Sequence, residues 1–259
     1  MLSNIFAFNP WLIAIVLNTL LLIPAFFSPK KLLTPAGIAH AWVLGVIIWS
    51  SLGWRGYAVV MFYFLVGSGI TRVGMAEKEA AGIAEKRGGA RGPENVWGSA
   101  LTGTLCALGV LGAGYGGEAR LIPLLVLGYV ASLSTKLSDT CASEIGKAYG
   151  KSTFLITTLK PVPRGTEGAV SLEGTIAGIG GSIALSLLAL GLGMINFWGL
   201  ICAVIAAFVA TNIESVIGAT VQTKFTWLTN EVVNFINTLI GAIVAMILFT
   251  LINLIWSLA

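Results

Sequence analysis

The sequence predicts an all-α fold: a polytopic transmembrane helical bundle of about eight spans, with seven as the alternative count, built as one integral membrane domain over residues 1–259. Three observations carry this. At 56% hydrophobic and 10% charged, the chain departs from the roughly 45–50% apolar, 25% charged balance of soluble domains. Its mean hydropathy of +0.91 fits a fold solvated on most of its outer surface by lipid. Its charges are so unevenly spread that uncharged stretches near the ~20 residues of one crossing recur along the chain.

A charge at mid-bilayer costs about 2.5–3.5 kcal/mol on insertion scales, so uncharged stretches mark crossings. Pro10 to Phe27 is the first; no Lys or Arg precedes it, so it is read as a retained helix rather than a cleavable signal. Pro35 to Leu52, carrying only His40, is the second, and Gly56 to Thr71 a shorter third. Asn95 to Gly117 is the fourth and Leu121 to Ser138 the fifth, with Lys136 near its end. Gly174 to Ile213 is uncharged throughout, about twice the length one helix needs. The break at Gly191-Leu-Gly-Met-Ile-Asn-Phe-Trp-Gly199 divides it into a sixth and a seventh. Val232 to Ala259 is the eighth. Trp11, Trp54, Trp97, Trp198, Trp227 and Trp256 fall near the predicted ends, as an aromatic belt would place them.

Eight crossings put both termini on one side and the loops one-two, three-four, five-six and seven-eight on the other. All of the 15 basic residues except Arg55 and Arg120 fall in those four loops, from Lys30 and Lys31 to Lys224. The positive-inside rule makes that face cytoplasmic, or its organellar equivalent, and both termini non-cytoplasmic. An inner, plasma or thylakoid-type membrane fits. Every Asp and Glu except Glu118 shares the charged face. Acidic residues contribute little to orientation, so the loops 72–97 and 136–171 are read as a working surface. The basic residues sit in short loops between spans, which argues against nucleic acid and for anionic substrates or lipid headgroups. Cys106, Cys141 and Cys202 have no CxxC spacing and no partner His, so neither a disulfide nor zinc is expected.

Three segments carry the candidate chemistry. The first, Arg72 to Asn95, sets Gly88, Gly89 and Gly92 among Lys86, Arg87 and Arg91. Glycines let backbone N–H groups approach phosphate oxygens and arginine adds a bidentate fork; a solvated hinge is the bland alternative. The second runs from Ser134 to Lys151. On a helix Thr135, Asp139, Ser143 and Lys147 form one stripe with Gly146 and Gly150 beside it. Asp139 is the sole aspartate, and a hard carboxylate just inside the bilayer suits Mg²⁺ shared with a nucleotide; pairing with Lys136 or Lys147 is the structural alternative. The third runs from Lys160 to Gly181. There Ser171 can cap a helix whose free N–H groups face an anion near Lys160 and Arg164, while Gly174, Gly178 and Gly181 have small-residue packing spacing. Thr211, Asn212, Glu214, Asn230, Asn234 and Asn237 point inward from the last spans, with interhelical hydrogen bonding as the commoner role for such asparagines, and His40 is read as structural. Neither GxxxxGK[ST] nor a strand-linked GxGxxG occurs, so the standard soluble nucleotide folds have no support.

The segments Leu137-Ser-Asp-Thr-Cys-Ala-Ser-Glu-Ile-Gly-Lys147, Pro163-Arg-Gly-Thr-Glu-Gly-Ala-Val-Ser-Leu-Glu-Gly-Thr175 and Asn212-Ile-Glu-Ser215 resemble the phytyl-phosphate kinase family. Asp139 to Gly146 and Ser171 to Gly174 also match the loose Asp-x-x-Ala-x-x-x-Gly and Ser/Thr-x-Glu-Gly patterns of phytol kinase, dolichol kinase and CTP:phosphatidate cytidylyltransferases. The resemblance implies phosphoryl transfer from CTP, or another nucleoside triphosphate, to an isoprenyl monophosphate. It gives Asp139 and Glu144 to Mg²⁺. Ser143, Lys147, Lys160, Arg164, Gly165, Ser171, Glu173 and Gly174 fall to the nucleotide. Arg87, Arg91 and Asn95 fall to the acceptor phosphate, and Asn212 and Glu214 to metal or ribose. A cytidylyltransferase is the nearest competing enzyme. A transporter is the competing class, against which stands the scarcity of polar groups on the opposite face. Glycine-rich spans permit a homodimer.

Overall fold

In lipid no water is present to bond free backbone groups, so the chain must satisfy them internally, and helix does so segment by segment. The computed structural model describes residues 9–27, 31–222 and 224–258; Lys30 and the two chain ends, on which the charge and termini expectations partly rested, lie outside the described residues. The helices are α1 (Pro10–Phe27), α2 (Pro35–Thr71), α3 (Met75–Ala80), α4 (Pro93–Tyr115), α5 (Ile122–Tyr149), α6 (Leu172–Gly191), α7 (Phe197–Ile217) and α8 (Asn230–Leu258). Their starts are locally encoded. Proline occupies the first turn of α2, α4 and α5, where its missing N–H does no harm. Thr34, Ser171 and Asn196 accept a hydrogen bond from the backbone N–H three residues on.

Seven helices are long and apolar enough to cross a membrane. The second of them, α2, has 37 residues, about 55 Å at 1.5 Å per residue and nearly twice the ~30 Å of hydrocarbon. It folds back at Gly53, whose φ of 65° and ψ of −163° lie outside the helical region and suit a residue without Cβ. The rings of Trp49 and Tyr57 meet across the turn, 5.3 Å between centroids. Gly37 and Gly67, near the two ends of α2, both abut Arg91: the first its carbonyl oxygen, the second its guanidinium. The limbs 35–52 and 54–71 therefore run antiparallel, as the predicted second and third spans, which gives eight apolar limbs among the described residues.

The centre of the bundle is α5, which packs against α2, α4, α6, α7 and α8. It is longer than the predicted fifth span, and this corrects the expected loop 136–171. Lys136, Asp139, Glu144 and Lys147 are all helical, and irregular chain begins only at Gly150. The helix continues past its charges because they face a cavity and each other instead of lipid. Against α5 lies the small-residue stripe of α6. A Cβ on Gly174 would stand 2.5 Å from the Ala142 carbonyl oxygen, and one on Gly181 2.8 Å from Cys141 Sγ, so the close approach depends on glycine.

Between α5 and α6 the all-α expectation has one small exception. Strand β1 (Thr153–Leu155) pairs antiparallel with β2 (Ala169–Ser171). The loop of this hairpin leans on two neighbours: Gly165 meets Ile83, and Gly168 meets Ser215 and Ala219. The hairpin thus closes over the end of the bundle that carries most of the charge. At the other end, Arg55 lies near Gly193 and Glu118 pairs with Arg120 at 3.0 Å.

Candidate active site

At the charged end, the first turns of α4, α6 and α8, the inner half of α5, the last turns of α7, the loop 82–91 and the hairpin loop enclose a cavity of about 730 Å³. Ionisable side chains this deep in a membrane protein are tolerated where they face such a space and one another.

Its acidic wall is formed by α5 and α7. Asp139 accepts a hydrogen bond from Lys136 at 2.5 Å, and Lys136 Nζ also donates to Asn234 Oδ1 at 2.7 Å. Glu214, in the last turns of α7, lines the same cavity as Asp139, and the two carboxyls are close enough to interact electrostatically. Two carboxylates this close repel unless a proton or a cation lies between them. One turn back from Glu214, the Thr211 hydroxyl lines the cavity and is buried with no hydrogen-bond partner among the described residues. Below this wall α7 ends in the π-helical turn Gly218–Gln222. Asn212 lines the cavity and donates to the Phe208 carbonyl at 2.7 Å, leaving its amide oxygen available.

Glu144 is placed differently from the expectation. Its carboxylate forms an ion pair with Lys78 of α3, a lysine with no exposed surface, and lies 3.5 Å from Lys147. Two ammonium groups already face this carboxylate, which was expected at Mg²⁺; the carboxyl on the Asp139 side of the cavity is that of Glu214. Lys147 also reaches Glu85 at 3.3 Å, which ties the 82–91 loop to α5. Of the predicted stripe on α5, Asp139, Ser143 and Lys147 line the cavity. Thr135 instead faces α8, where it fills the space over Gly241.

The opposite wall is basic. Residues 87 to 89 all have positive φ, a conformation that glycine takes freely and Arg87 adopts at some cost. Arg87 donates to Glu94 at 2.5 Å and to Asn95 at 2.9 Å, and Asn95 donates to Glu231 at 3.4 Å. Arg91 is held otherwise. Its backbone is tied to the chain before α2, accepting from Thr34 N and donating to Leu32 O. Its guanidinium donates to the Tyr63 hydroxyl at 2.7 Å and lies over the rings of Tyr63 and Phe64. Among the described residues no carboxylate is within ion-pair distance of it. An arginine in place, stacked and free of acid is ready for an external anion.

The α6 end of the cavity contains Ser171, which caps the helix by accepting from Gly174 N at 3.1 Å. Gly165, Ser171 and Gly174 line the cavity, as do Asn230 and Asn234. Three expected residues do not. Lys160 is exposed on the hairpin loop. Arg164 donates to the Ala148 carbonyl at 2.9 Å, and Glu173 accepts from Lys151 N at 3.4 Å. Lys160, Arg164 and Glu173, expected at the nucleotide, thus lie outside the cavity lining. The similar Arg-Gly-x-Glu stretches at 91 and 164 therefore have unlike environments.

Among the residues lining the cavity seven are acidic and five basic. A phosphate-rich ligand would meet a net negative wall, which a divalent cation would offset. Among the described residues no cluster of three or more His, Cys, Asp or Glu is placed to hold a metal. Two carboxylates with the remaining positions filled by phosphate oxygens and water is the usual way Mg²⁺ is held with a nucleotide. The Asp139–Glu214 pair fits that pattern.

Lys78, Glu85, Tyr63 and Glu231 went unremarked as site-forming residues in the sequence. Lys78 reads there as one more loop cation and Tyr63 as one more apolar-span residue, so no local signal marks them.

Comparison with known proteins places this geometry in a lineage. The chain is 66% identical over 236 residues to membrane protein sll0875 of Synechocystis, covering 91% of this chain and 90% of that one. It is 48% identical over 218 residues to Protein VTE6, chloroplastic, of Arabidopsis thaliana, covering 83% of this chain and 65% of that one. It is 27% identical over 224 residues to membrane protein MJ0933 of Methanocaldococcus jannaschii, covering 85% of this chain and 87% of that one. No solved structure matches. The family model for "Integral membrane protein DUF92" matches residues 18–242, a span that contains every crossing except parts of the first and last. It also contains all three motif segments on which the family expectation was based. The chain belongs to the DUF92 family of integral membrane proteins.

Proposed function

We propose that this protein is a membrane kinase. It moves the terminal phosphoryl group of a nucleoside triphosphate, CTP by the motif resemblance, onto an isoprenyl monophosphate such as phytyl phosphate. The diphosphate product would serve tocopherol or related prenyl-lipid synthesis. The observation that carries this reading is one cavity with two unlike walls: a carboxylate pair, Asp139 and Glu214, and an arginine free of acid, Arg91. The 48% identity to the chloroplastic protein VTE6 supports a plastid-type or related inner membrane as its place, with the cavity facing the cytoplasm or its equivalent.

The geometry supports the following roles. Asp139 and Glu214 would hold Mg²⁺, which when bound would supply charge neutralisation at the crowded phosphates. Lys147, steadied by Glu85 and Glu144, and the free N–H groups at the start of α6 bind the donor phosphates. Ser143, Gly165 and Gly174 leave room beside them, and Asn212 meets the ribose. Arg91 binds the acceptor phosphate bidentately, with Arg87 and Asn95 next to it. An acceptor oxygen attacks the terminal phosphorus of the donor as the bond to the nucleoside diphosphate breaks. The acceptor is already anionic, so no base has to remove a proton. This agrees with His40, which accepts from the Trp97 indole at 2.8 Å and does not line the cavity.

The test is incubation of purified protein with phytyl monophosphate, Mg²⁺ and CTP labelled at either the γ or the α phosphate. Label from the γ position should enter the lipid, and Asp139→Asn should abolish transfer. Label from the α position in the lipid would mean cytidylyl transfer instead. An Asp139→Asn variant at wild-type rate would remove the proposed centre.

A further inference from the structure

A second cavity of about 270 Å³ lies between α1, both limbs of α2 and the start of α4. Its walls are almost wholly apolar, including Leu22, Ala41, Leu44 and Met61. At its floor Tyr57 donates to Asn18 Oδ1 at 3.0 Å, and Asn18 donates to the Ala14 carbonyl at 2.8 Å. Both polar groups there are thus satisfied and leave an apolar lining. Leu21 and Leu65 line it and are 45% and 53% exposed, so it opens sideways toward lipid.

The two cavities adjoin. Tyr63, Arg91 and Ser99 border both. At the junction stands the arginine without an acid partner, its guanidinium over the Tyr63 and Phe64 rings. An apolar groove that opens to lipid at one side and ends on an uncompensated cation is complementary to one kind of ligand. That ligand has a single apolar chain and an anionic head. The head would then project into the polar cavity.

We infer that this groove binds the hydrocarbon chain of the acceptor, a single isoprenoid chain, while Arg91 holds the monophosphate at the boundary of the two cavities. This rests on the kinase reading for the identity of the head group. The chain enters between α1 and α2 from the bilayer, and the Asn18–Tyr57 pair sets how deep it reaches. Chain preference is therefore decided by α1, α2 and α4, away from the nucleotide.

Two measurements test this. The first uses wild-type protein without nucleotide and a prenyl monophosphate carrying a photoreactive diazirine at the far end of its chain. Cross-links should map to residues 18–25, 41–45 and 57–65. Unlabelled prenyl monophosphate should compete, and phosphatidic acid should not. The second uses Ala41→Phe and Met61→Phe, which fill the groove. Each should raise the KM for phytyl monophosphate relative to that for dimethylallyl monophosphate by about tenfold or more, the scale set by misfit in an apolar pocket. Cross-links spread over the outer surface, or equal competition by phosphatidic acid, would overturn the assignment and mark the groove as a seat for ordinary membrane lipid. So would unchanged KM ratios in a folded variant. Labelling in the groove without phosphoryl transfer would leave the groove standing and remove the kinase reading. Transfer with labelling elsewhere would do the reverse.

Discussion

Replacing Glu144 by glutamine removes the charge that faces Lys78. That lysine has no exposed surface, and its other partner among the described residues is the Thr71 carbonyl at 2.8 Å. Breaking a buried pair by deleting one partner costs about 3–5 kcal/mol, because the remaining charge is left without compensation. Glu144 borders a polar cavity and Lys78 retains one acceptor, so the lower end, about 3 kcal/mol, is expected. At roughly 2–4 °C per kcal/mol for chains of this size, the Tm should fall by on the order of 10 °C. Thermal unfolding in detergent, followed by tryptophan fluorescence, measures it. The double variant Lys78→Met, Glu144→Leu should recover most of the loss, since an apolar pair of similar volume needs no compensation. A single variant with wild-type Tm, or a double variant no more stable than the single, would refute the reasoning. If Glu144→Gln instead lowered Mg²⁺ affinity at unchanged Tm, the carboxylate would belong to the metal after all.

Gly45→Ala drives a Cβ into the Asn18 side-chain oxygen and should break its bond to Tyr57; a loss of about 1–3 kcal/mol from overpacking is expected in the same unfolding assay. Ser171→Ala removes the α6 cap and should cost about 1 kcal/mol, with Ser171→Asp restoring most of it. Arg87 and Glu94 are both nearly half exposed, so a double-mutant cycle of unfolding should assign their pair no more than about 1 kcal/mol. The thiols of Cys106, Cys141 and Cys202 are buried and unpaired. A maleimide should leave them unmodified in folded protein and label all three after denaturation.

The crossings were legible in the sequence because the penalty for charge in lipid applies residue by residue and needs no knowledge of neighbours. The cap at Ser171 and the turn after Gly191 were legible for the same local reason. The reversal at Gly53 was visible too, as a short charged gap between apolar runs. Partnership was not legible. Glu144 and Glu214 are equally acidic on paper, yet Lys78 reaches the first across 66 positions of sequence, while α7 brings the second to Asp139. Arg91 and Arg164 begin nearly identical stretches, but only the packing of α2 around Arg91 stacks it on Tyr63 and Phe64 and leaves it free of acid. Hydropathy determined by itself that the chain crosses a membrane repeatedly and gathers its charge at one end. Which of those charges cancel inside the fold, and which remain for a ligand, was decided only when helices distant in sequence were packed together, because electrostatic pairing depends on distance in space.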